Sequence, residues 1–157
     1  MSCKHQSRRE FLRHGGCSLF TLGALGIAAD VVLPVAAIAG AGSAKEKAYP
    51  IPPGDSVNID RGAQVMLVRY ANRVYAFSMA CPHERAAVKW LKKDNRFQCT
   101  KHDSQYKPDG TYTTGHATRN LDRFPIHRNG ESVVVDLSQV FQSDQHAAAW
   151  AAATITV

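Results

Sequence analysis

From about residue 50 onward, short apolar runs alternate with turn residues along the chain. The runs are rich in Val, Tyr and Phe, and Gly, Asn and Asp separate them, which is the pattern of β-strands. We predict strands at residues 56–59, 64–70, 73–78, 88–91, 96–99, 111–113, 123–127 and 132–137. The pattern therefore predicts an all-β domain.

Turn residues and one Ala-rich stretch complete the predicted elements. Asn129-Gly130 lies between the last two predicted strands, and Asn-Gly between apolar runs is a strong hairpin signal. Asp94-Asn95 predicts a second turn, which would join two earlier strands into a hairpin. Near the C terminus we predict a short helix over residues 147–153, capped by Ser143 or Asp144.

The first 44 residues follow a different pattern, which is typical of an export signal. A basic head precedes an apolar segment at residues 19–29, and small residues follow. The head reads Ser7-Arg8-Arg9-Glu10-Phe11-Leu12-Arg13 and resembles the twin-arginine export motif. That resemblance implies export of a folded protein, usually one that receives a cofactor before export. We predict a twin-arginine signal peptide or anchor at residues 1–44.

A membrane anchor is the alternative for this segment. About 20 apolar residues span a bilayer, but Asp30 and Pro34 interrupt the apolar stretch. A carboxylate near the centre of such a helix costs about 2.5 to 3.5 kcal/mol on insertion scales. We therefore favour cleavage or loose membrane association over stable spanning. The predicted location is the periplasm or the outer face of a bacterial cytoplasmic membrane.

The length and the net charge of the chain exclude some classes of function. The chain has 157 residues, enough for about one domain, which excludes an enzyme with a separate large substrate domain. The net charge is +6, and without residues 1–44 it is +4. No basic tract or RNA-binding aromatic motif accompanies that charge, so we predict no nucleic-acid partner.

Cysteine and histidine supply the candidate chemistry. Of the four cysteines, Cys3 and Cys17 lie in the signal segment, so two remain for the domain. Two thiols are too few for a site of four thiolates, and histidine must supply the other ligands. The remaining cysteines stand in Cys81-Pro82-His83 and Cys99-Thr100-Lys101-His102. These two motifs, which we call arms, each contain one Cys and one His, and the number of residues between them suits a hairpin.

Three kinds of site are compatible with these arms. A disulfide between Cys81 and Cys99 suits an exported protein but leaves both histidines unexplained. A zinc site suits the ligands, but common zinc fingers pair Cys with Cys and His with His on separate arms. A [2Fe-2S] cluster with two thiolates on one iron and two imidazoles on the other uses mixed arms. The spacing favours the cluster.

These arms resemble the ligand motifs of the Rieske iron-sulfur proteins, Cys-x-His and Cys-x-x-His, and the resemblance extends over about residues 50–137. It implies that Cys81 and Cys99 bind one iron of a [2Fe-2S] cluster and that His83 and His102 bind the other. It also implies an antiparallel β-sandwich or barrel with a small cluster-binding subdomain.

The residues after the last ligand extend the resemblance. Ser104 and Tyr106 match a serine and a tyrosine of the quinol-oxidising Rieske proteins. The resemblance implies that their hydroxyls donate to cluster sulfurs and raise the reduction potential. His116 stands where a family loop has proline, and we interpret it as an ordinary loop residue, with shielding of the cluster or contact with a partner as the alternative. Ala86 and Lys101 stand where the quinol-oxidising type has a disulfide between the ligand loops, so noncovalent contacts must hold these loops.

Together these observations predict an exported one-electron carrier rather than a complete enzyme. We divide the chain into the signal at 1–44, a Rieske domain at 45–140 and a C-terminal extension at 141–157. The expected partners are redox proteins, namely a cytochrome c or a larger subunit of a respiratory oxidoreductase, with membrane association through the N terminus. The Rieske subunits of cytochrome bc-type complexes and the small subunits of arsenite oxidases are the similar proteins. A zinc- or disulfide-stabilised binding module without redox activity is the alternative.

Overall fold

The computed structural model describes residues 45–157, which consist mainly of short antiparallel β-strands. The strands are β1 (Glu46–Pro50), β2 (Ser56–Asp60), β3 (Val65–Tyr70), β4 (Arg73–Ser78), β5 (Val88–Leu91), β6 (Arg96–Cys99), β7 (Gln105–Tyr106), β8 (Tyr112–Thr114), β9 (Ile126–Asn129), β10 (Ser132–Asp136) and β11 (Ile155–Thr156). A 3-10 turn at Lys92–Asp94 joins β5 to β6, and the short helix α1 (Ala147–Ala152) precedes β11. The predicted all-β class is confirmed. The predicted signal or anchor at residues 1–44 lies outside the described residues.

The strands form three antiparallel sheets stacked through two apolar cores. The sheet orders are β1-β10-β9, β11-β4-β3-β2 and β5-β6-β7-β8. Successive side chains of a strand point to opposite faces of its sheet. In β3, Met66 packs into the core shared with β6 and β7, whereas Val65 and Leu67 pack into the core shared with β10. The middle sheet therefore packs against the β5-β6-β7-β8 sheet, and the candidate ligand loops follow β4 of the first and β6 of the second.

The predicted strands and turns agree closely with the structure, with a few differences. The strands at 73–78, 88–91 and 96–99 have the predicted bounds. The predicted 123–127 strand begins only at Ile126, because Arg123 forms isolated bridges to neighbouring segments instead. The last hairpin is confirmed: Asn129 pairs with Ser132 around a two-residue loop, and Gly130 has a φ of 59°.

The C-terminal helix forms as predicted, but its predicted cap is wrong. His146 occupies the N-cap position and makes no side-chain capping hydrogen bond. The Ser143 hydroxyl instead accepts a hydrogen bond from the Asn120 N–H, and an Asp144 carboxylate oxygen lies 3.6 Å from the Arg119 Nε. Both side chains therefore connect the C-terminal segment to the loop that follows β8.

A buried arginine joins the C-terminal segment to the rest of the domain. The Arg123 guanidinium lies 3.5 Å from the centre of the Trp150 ring and donates to the Trp150 and Asp109 carbonyls. The Trp150 indole N–H donates to the Leu121 carbonyl at 2.8 Å. Burial lowers the pKa of Arg123 to about 10, and the two carbonyls and the aromatic ring compensate its charge. The extension is thus a packed part of the domain.

No helix within residues 45–157 is long and apolar enough to cross a bilayer.

Candidate metal centre

The first candidate ligand loop follows β4 and buries a thiol while exposing an imidazole. The Cys81 N–H donates to the Ala86 carbonyl, and the Arg85 N–H donates to the Cys81 carbonyl, each at 2.8 Å. These bonds close the loop on itself, with Arg85 in the left-handed region at a φ of 56°. Cys81 is only 1% exposed, whereas His83 is exposed. The loop thus separates its two candidate ligands by environment.

The second candidate ligand loop leaves the end of β6 and turns back into β7. The Cys99 N–H donates to the Ser104 carbonyl at 2.8 Å, which closes a tight turn around His102. Asp103 has a φ of 54°, a conformation that Asp tolerates better than most residues, and its carboxylate accepts from the Gln98 amide. Cys99 is 1% exposed and His102 is half-buried, so this loop repeats the arrangement of the first.

The two imidazoles meet at the surface. The Nδ1 atoms of His83 and His102 are 3.2 Å apart, and the rings cross at 67°. Two nitrogen ligands placed 2.0 to 2.1 Å from a tetrahedral metal lie about 3.3 to 3.4 Å from each other. The observed separation therefore suits two ligands of one metal ion.

The two thiols are free and lie beneath the imidazoles in the core. Burial raises the pKa of the Cys81 thiol. Burial also opposes ionisation of Cys99, but the His102 and Lys101 N–H groups donate to its sulfur, and the net effect lowers the pKa of this thiol. Thiols bind metals as thiolates, so these backbone donors favour the form of Cys99 that acts as a ligand.

The four side chains do not converge on a single point. Within residues 45–157, the compact group of three metal-binding side chains is His83, Glu84 and His102, whose ligand atoms lie within 4.8 Å of one another. Neither thiol belongs to such a group. The donors around one tetrahedral zinc would be only about 3.3 to 3.8 Å apart. The thiol pair and the imidazole pair therefore fit the two ends of a two-metal group better than a single zinc ion.

Tyr106 and Ser104 follow the second candidate ligand loop, and both are fully buried. The Tyr106 hydroxyl is 3.3 Å from the Cys81 sulfur. Burial and then the contact with Cys81 raise the pKa of Tyr106, so the phenol stays protonated and can donate to the sulfur. The Ser104 hydroxyl oxygen accepts from the His116 and Ala117 N–H groups, and the Ser104 side chain also contacts Tyr106.

His116 was expected to be an ordinary loop residue, but its ring lies against both candidate ligands. The ring centres of His83 and His116 are 5.6 Å apart with nearly parallel planes, and that of His102 is 5.5 Å away. Gly115 permits this approach: at its φ of 112°, an added Cβ would lie 2.4 Å from the Ser104 Cα. The replacement of proline at position 116 was the only sequence signal of this third imidazole.

An ion pair between the loops is the other contact that the sequence did not predict. The Lys101 ammonium lies 2.6 Å from a Glu84 carboxylate oxygen, and the same oxygen is 3.8 Å from the His102 Nδ1. The contact lowers the pKa of Glu84 and raises that of Lys101. Neither residue belongs to a ligand motif, so spacing alone could not pair them.

Comparison with known proteins identifies the type of domain. The model of the Rieske [2Fe-2S] domain matches residues 44–125. The cytochrome b6-f complex iron-sulfur subunit of Chlorobaculum thiosulfatiphilum is 28% identical over 93 residues, which cover 57% of this chain and 50% of that protein. The present chain thus spans about half the length of that relative.

Two further matches come from a ferredoxin and a solved structure. The 3-phenylpropionate/cinnamic acid dioxygenase ferredoxin subunit of Shigella boydii serotype 4 (strain Sb227) is 25% identical over 92 residues, which cover 57% of this chain and 87% of that one. The structure of the plasma membrane Rieske protein PetC3 from Synechocystis PCC 6803 matches with a TM-score of 0.43 and 22% identity, covering 53% of this chain and 86% of that one.

Proposed function

The chain belongs to the Rieske [2Fe-2S] domain family, and we propose that it is an exported one-electron carrier whose cluster is bound by Cys81, His83, Cys99 and His102. Membership of the family establishes a domain that binds a [2Fe-2S] cluster and carries electrons. Beyond family membership, we propose the four ligands, export of the protein and a role in respiratory electron transfer.

Each of the two loops holds one Cys and one His, and this arrangement is the observation that best supports the ligand assignment. His83 and His102 place their Nδ1 atoms 3.2 Å apart at the surface, while the thiols of Cys81 and Cys99 lie in the core below. This donor set fits a cluster with nitrogen ligands on one iron and sulfur ligands on the other. When bound, the cluster supplies reversible one-electron reduction of iron.

The residues around the thiols influence the reduction potential of the site. Reduction adds negative charge, and hydrogen bonds donated to sulfur stabilise that charge and raise the potential. Tyr106 donates to the Cys81 sulfur from a fully buried position. Ser104 matches a family residue whose hydroxyl donates to sulfur, and we propose the same role for it here. Tyr106 holds a proton on its hydroxyl oxygen beside the Cys81 sulfur.

The imidazoles form the side of the site that a redox partner can approach. His83 and His116 are exposed and His102 is half-buried, whereas both thiols are shielded from solvent. Electrons would therefore enter and leave through the imidazole face. We propose a cytochrome c or a larger oxidoreductase subunit as the partner, because the relatives are named as subunits of a cytochrome complex and of a dioxygenase.

Export and domain division complete the proposal. We propose a twin-arginine signal or anchor at residues 1–44, a Rieske domain at 45–140 and a C-terminal extension at 141–157. The motif Ser7-Arg8-Arg9-Glu10-Phe11-Leu12-Arg13 supports export to the periplasm or to the outer face of the cytoplasmic membrane. A small subunit of an arsenite oxidase-like enzyme suits the chain better than a quinol-oxidising complex, because Cys81 and Cys99 leave no cysteine for a bridge between the loops within residues 45–157.

The ligand assignment is tested by the metal content and the electron paramagnetic resonance spectrum of the full chain. The purified protein should contain two irons and two acid-labile sulfides and give the spectrum of a cluster with mixed ligands after reduction. His83→Ala should abolish that spectrum. His127→Ala is the matched control, because His127 is also exposed but lies in β9. Zinc without iron would refute the proposal in favour of a binding module.

Export is tested separately by cell fractionation. The wild-type chain should reach the periplasm or the outer face of the membrane, and the double variant Arg8→Lys/Arg9→Lys should accumulate in the cytoplasm with its cluster intact. Equal distribution of the two proteins would refute twin-arginine export without affecting the ligand assignment.

A further inference from the structure

The bases of the two ligand loops are joined by hydrogen bonds, but these bonds lie beside the thiols. The Thr100 N–H and hydroxyl both donate to the Ala87 carbonyl, at 3.0 and 2.9 Å. Thr100 directly follows Cys99, so this contact fixes the sulfur end of the site. A different contact must therefore hold together the parts of the loops that carry the imidazoles.

Besides the contact of the two imidazoles with each other, an ion pair joins the imidazole-bearing ends of the loops. Glu84 directly follows His83, and Lys101 directly precedes His102. Their side chains meet at 2.6 Å, between residues that are 17 positions apart in the chain. Within residues 45–157 no disulfide performs this task, because both cysteines are free thiols.

We propose that Glu84 and Lys101 form an ionic clasp that positions His83 and His102 as ligands of the same iron. This inference rests on the proposed function. Both residues are positioning residues: each acts through the imidazole beside it in the chain. The two side chains are 45% and 59% exposed, so dissolved salt reaches the pair and screens it. The stability of the bound cluster should therefore depend on ionic strength.

The charges of the clasp should also affect the reduction potential of the site, which a purely structural contact would not do. Removing the charge of Lys101 leaves an unpaired carboxylate whose oxygen is 3.8 Å from the His102 Nδ1. That negative charge opposes reduction and lowers the potential. Removing the charge of Glu84 leaves an unpaired ammonium, which raises the potential. The two single variants should shift the potential in opposite directions.

The domain offers a matched control pair. Asp94 and Arg96 form an ion pair at 3.2 Å in the same sheet, with side chains 48% and 37% exposed. They lie at the turn of the β5–β6 hairpin, whereas Cys99 lies at its open end, paired with Val88. Loss of this pair removes a comparable surface interaction without touching the ligand loops.

The test compares cluster-loaded wild-type protein with Lys101→Met, Glu84→Gln, the reversed pair Glu84→Lys/Lys101→Glu, and the control Asp94→Asn. Iron release to a chelator is measured in about 0.01 M and about 1 M salt, where the Debye lengths are about 30 Å and about 3 Å. At low salt the two single variants should release iron about two- to fivefold faster than wild type, and the reversed pair should restore the slow rate. The control should match wild type.

High salt should accelerate release from wild type and remove its advantage over the single variants. Spectropotentiometry should give a lower potential for Lys101→Met and a higher one for Glu84→Gln. Equal release rates at low salt, failure of the reversed pair to restore the slow rate, or potentials that shift in the same direction would overturn the clasp. Wild-type protein that holds no iron would overturn the proposed function as well, and this result is distinguishable before any variant is compared.

Discussion

The loss of one hydroxyl group, in Tyr106→Phe, tests how the buried shell controls the site. The Tyr106 ring is fully buried, and its hydroxyl oxygen is 3.3 Å from the Cys81 sulfur. Phenylalanine keeps the ring and its packing in the core but cannot donate a hydrogen bond. The substitution therefore isolates a single donor to a sulfur ligand.

The size of the effect follows from the strength of one buried hydrogen bond. Such a bond contributes about 0.5 to 1.5 kcal/mol, and it is stronger when the acceptor carries more negative charge. A factor of ten in a one-electron equilibrium corresponds to about 59 mV and about 1.4 kcal/mol. If the reduced site gains about 1 kcal/mol more from this donor than the oxidised site, Tyr106→Phe lowers the potential by about 40 mV.

Spectropotentiometry of the cluster-loaded protein measures this shift. Tyr112→Phe is the control, because the Tyr112 ring is 6.0 Å from that of Tyr106 but its hydroxyl donates to the Gly115 carbonyl rather than to sulfur. The control should retain the wild-type potential. An unchanged potential in Tyr106→Phe, or an equal decrease in Tyr112→Phe, would refute the assignment of the hydroxyl as a donor to Cys81.

Three further predictions concern the surroundings of the site. Ser104→Ala should lower the potential while the cluster is retained, as measured by the same titration, because the proposed hydroxyl donor to sulfur is lost. Gly115→Ala should lower the melting temperature by many degrees, because its Cβ would lie 2.4 Å from the backbone of the neighbouring segment, whereas Gly54→Ala should not, since nothing lies within 4 Å there. Arg123→Met should destabilise the domain by about 2 to 3 kcal/mol, since it leaves two carbonyls unpaired. Chemical denaturation followed by the combined fluorescence of Trp90 and Trp150 measures this loss, and an unchanged midpoint would contradict it.

The sequence predicted β2, β3, β4, β5, β6 and β10 because their own residues determine them, but it missed β1, whose residues are mostly exposed. β4 has four consecutive buried residues from Val74, and β10 alternates buried Val133 and Val135 with less buried neighbours. Such patterns are visible without knowledge of the partner strands. β7 and β11 are only two residues long and depend on pairing with β6, β8 and β4, so no local pattern could reveal them.

The candidate ligands were predictable for a different reason. Each pair of one Cys and one His lies within one short loop, so spacing along the chain reflects chemistry in space. The contacts of His116 with His83 and of Glu84 with Lys101 join separate loops and leave no spacing signal. The wrong helix cap has the same cause, because Ser143 is bonded to a distant loop rather than to its own helix.

We propose that two imidazoles and two thiolates bind opposite ends of one two-iron cluster. Pulsed electron paramagnetic resonance of the reduced protein, carrying isotopically labelled histidine, tests this arrangement most directly. We expect couplings to two histidine nitrogens per cluster, with one coupling lost or the signal abolished in His102→Ala and both kept in His127→Ala. A cluster signal without histidine couplings, or a protein that contains zinc in place of iron, would contradict it.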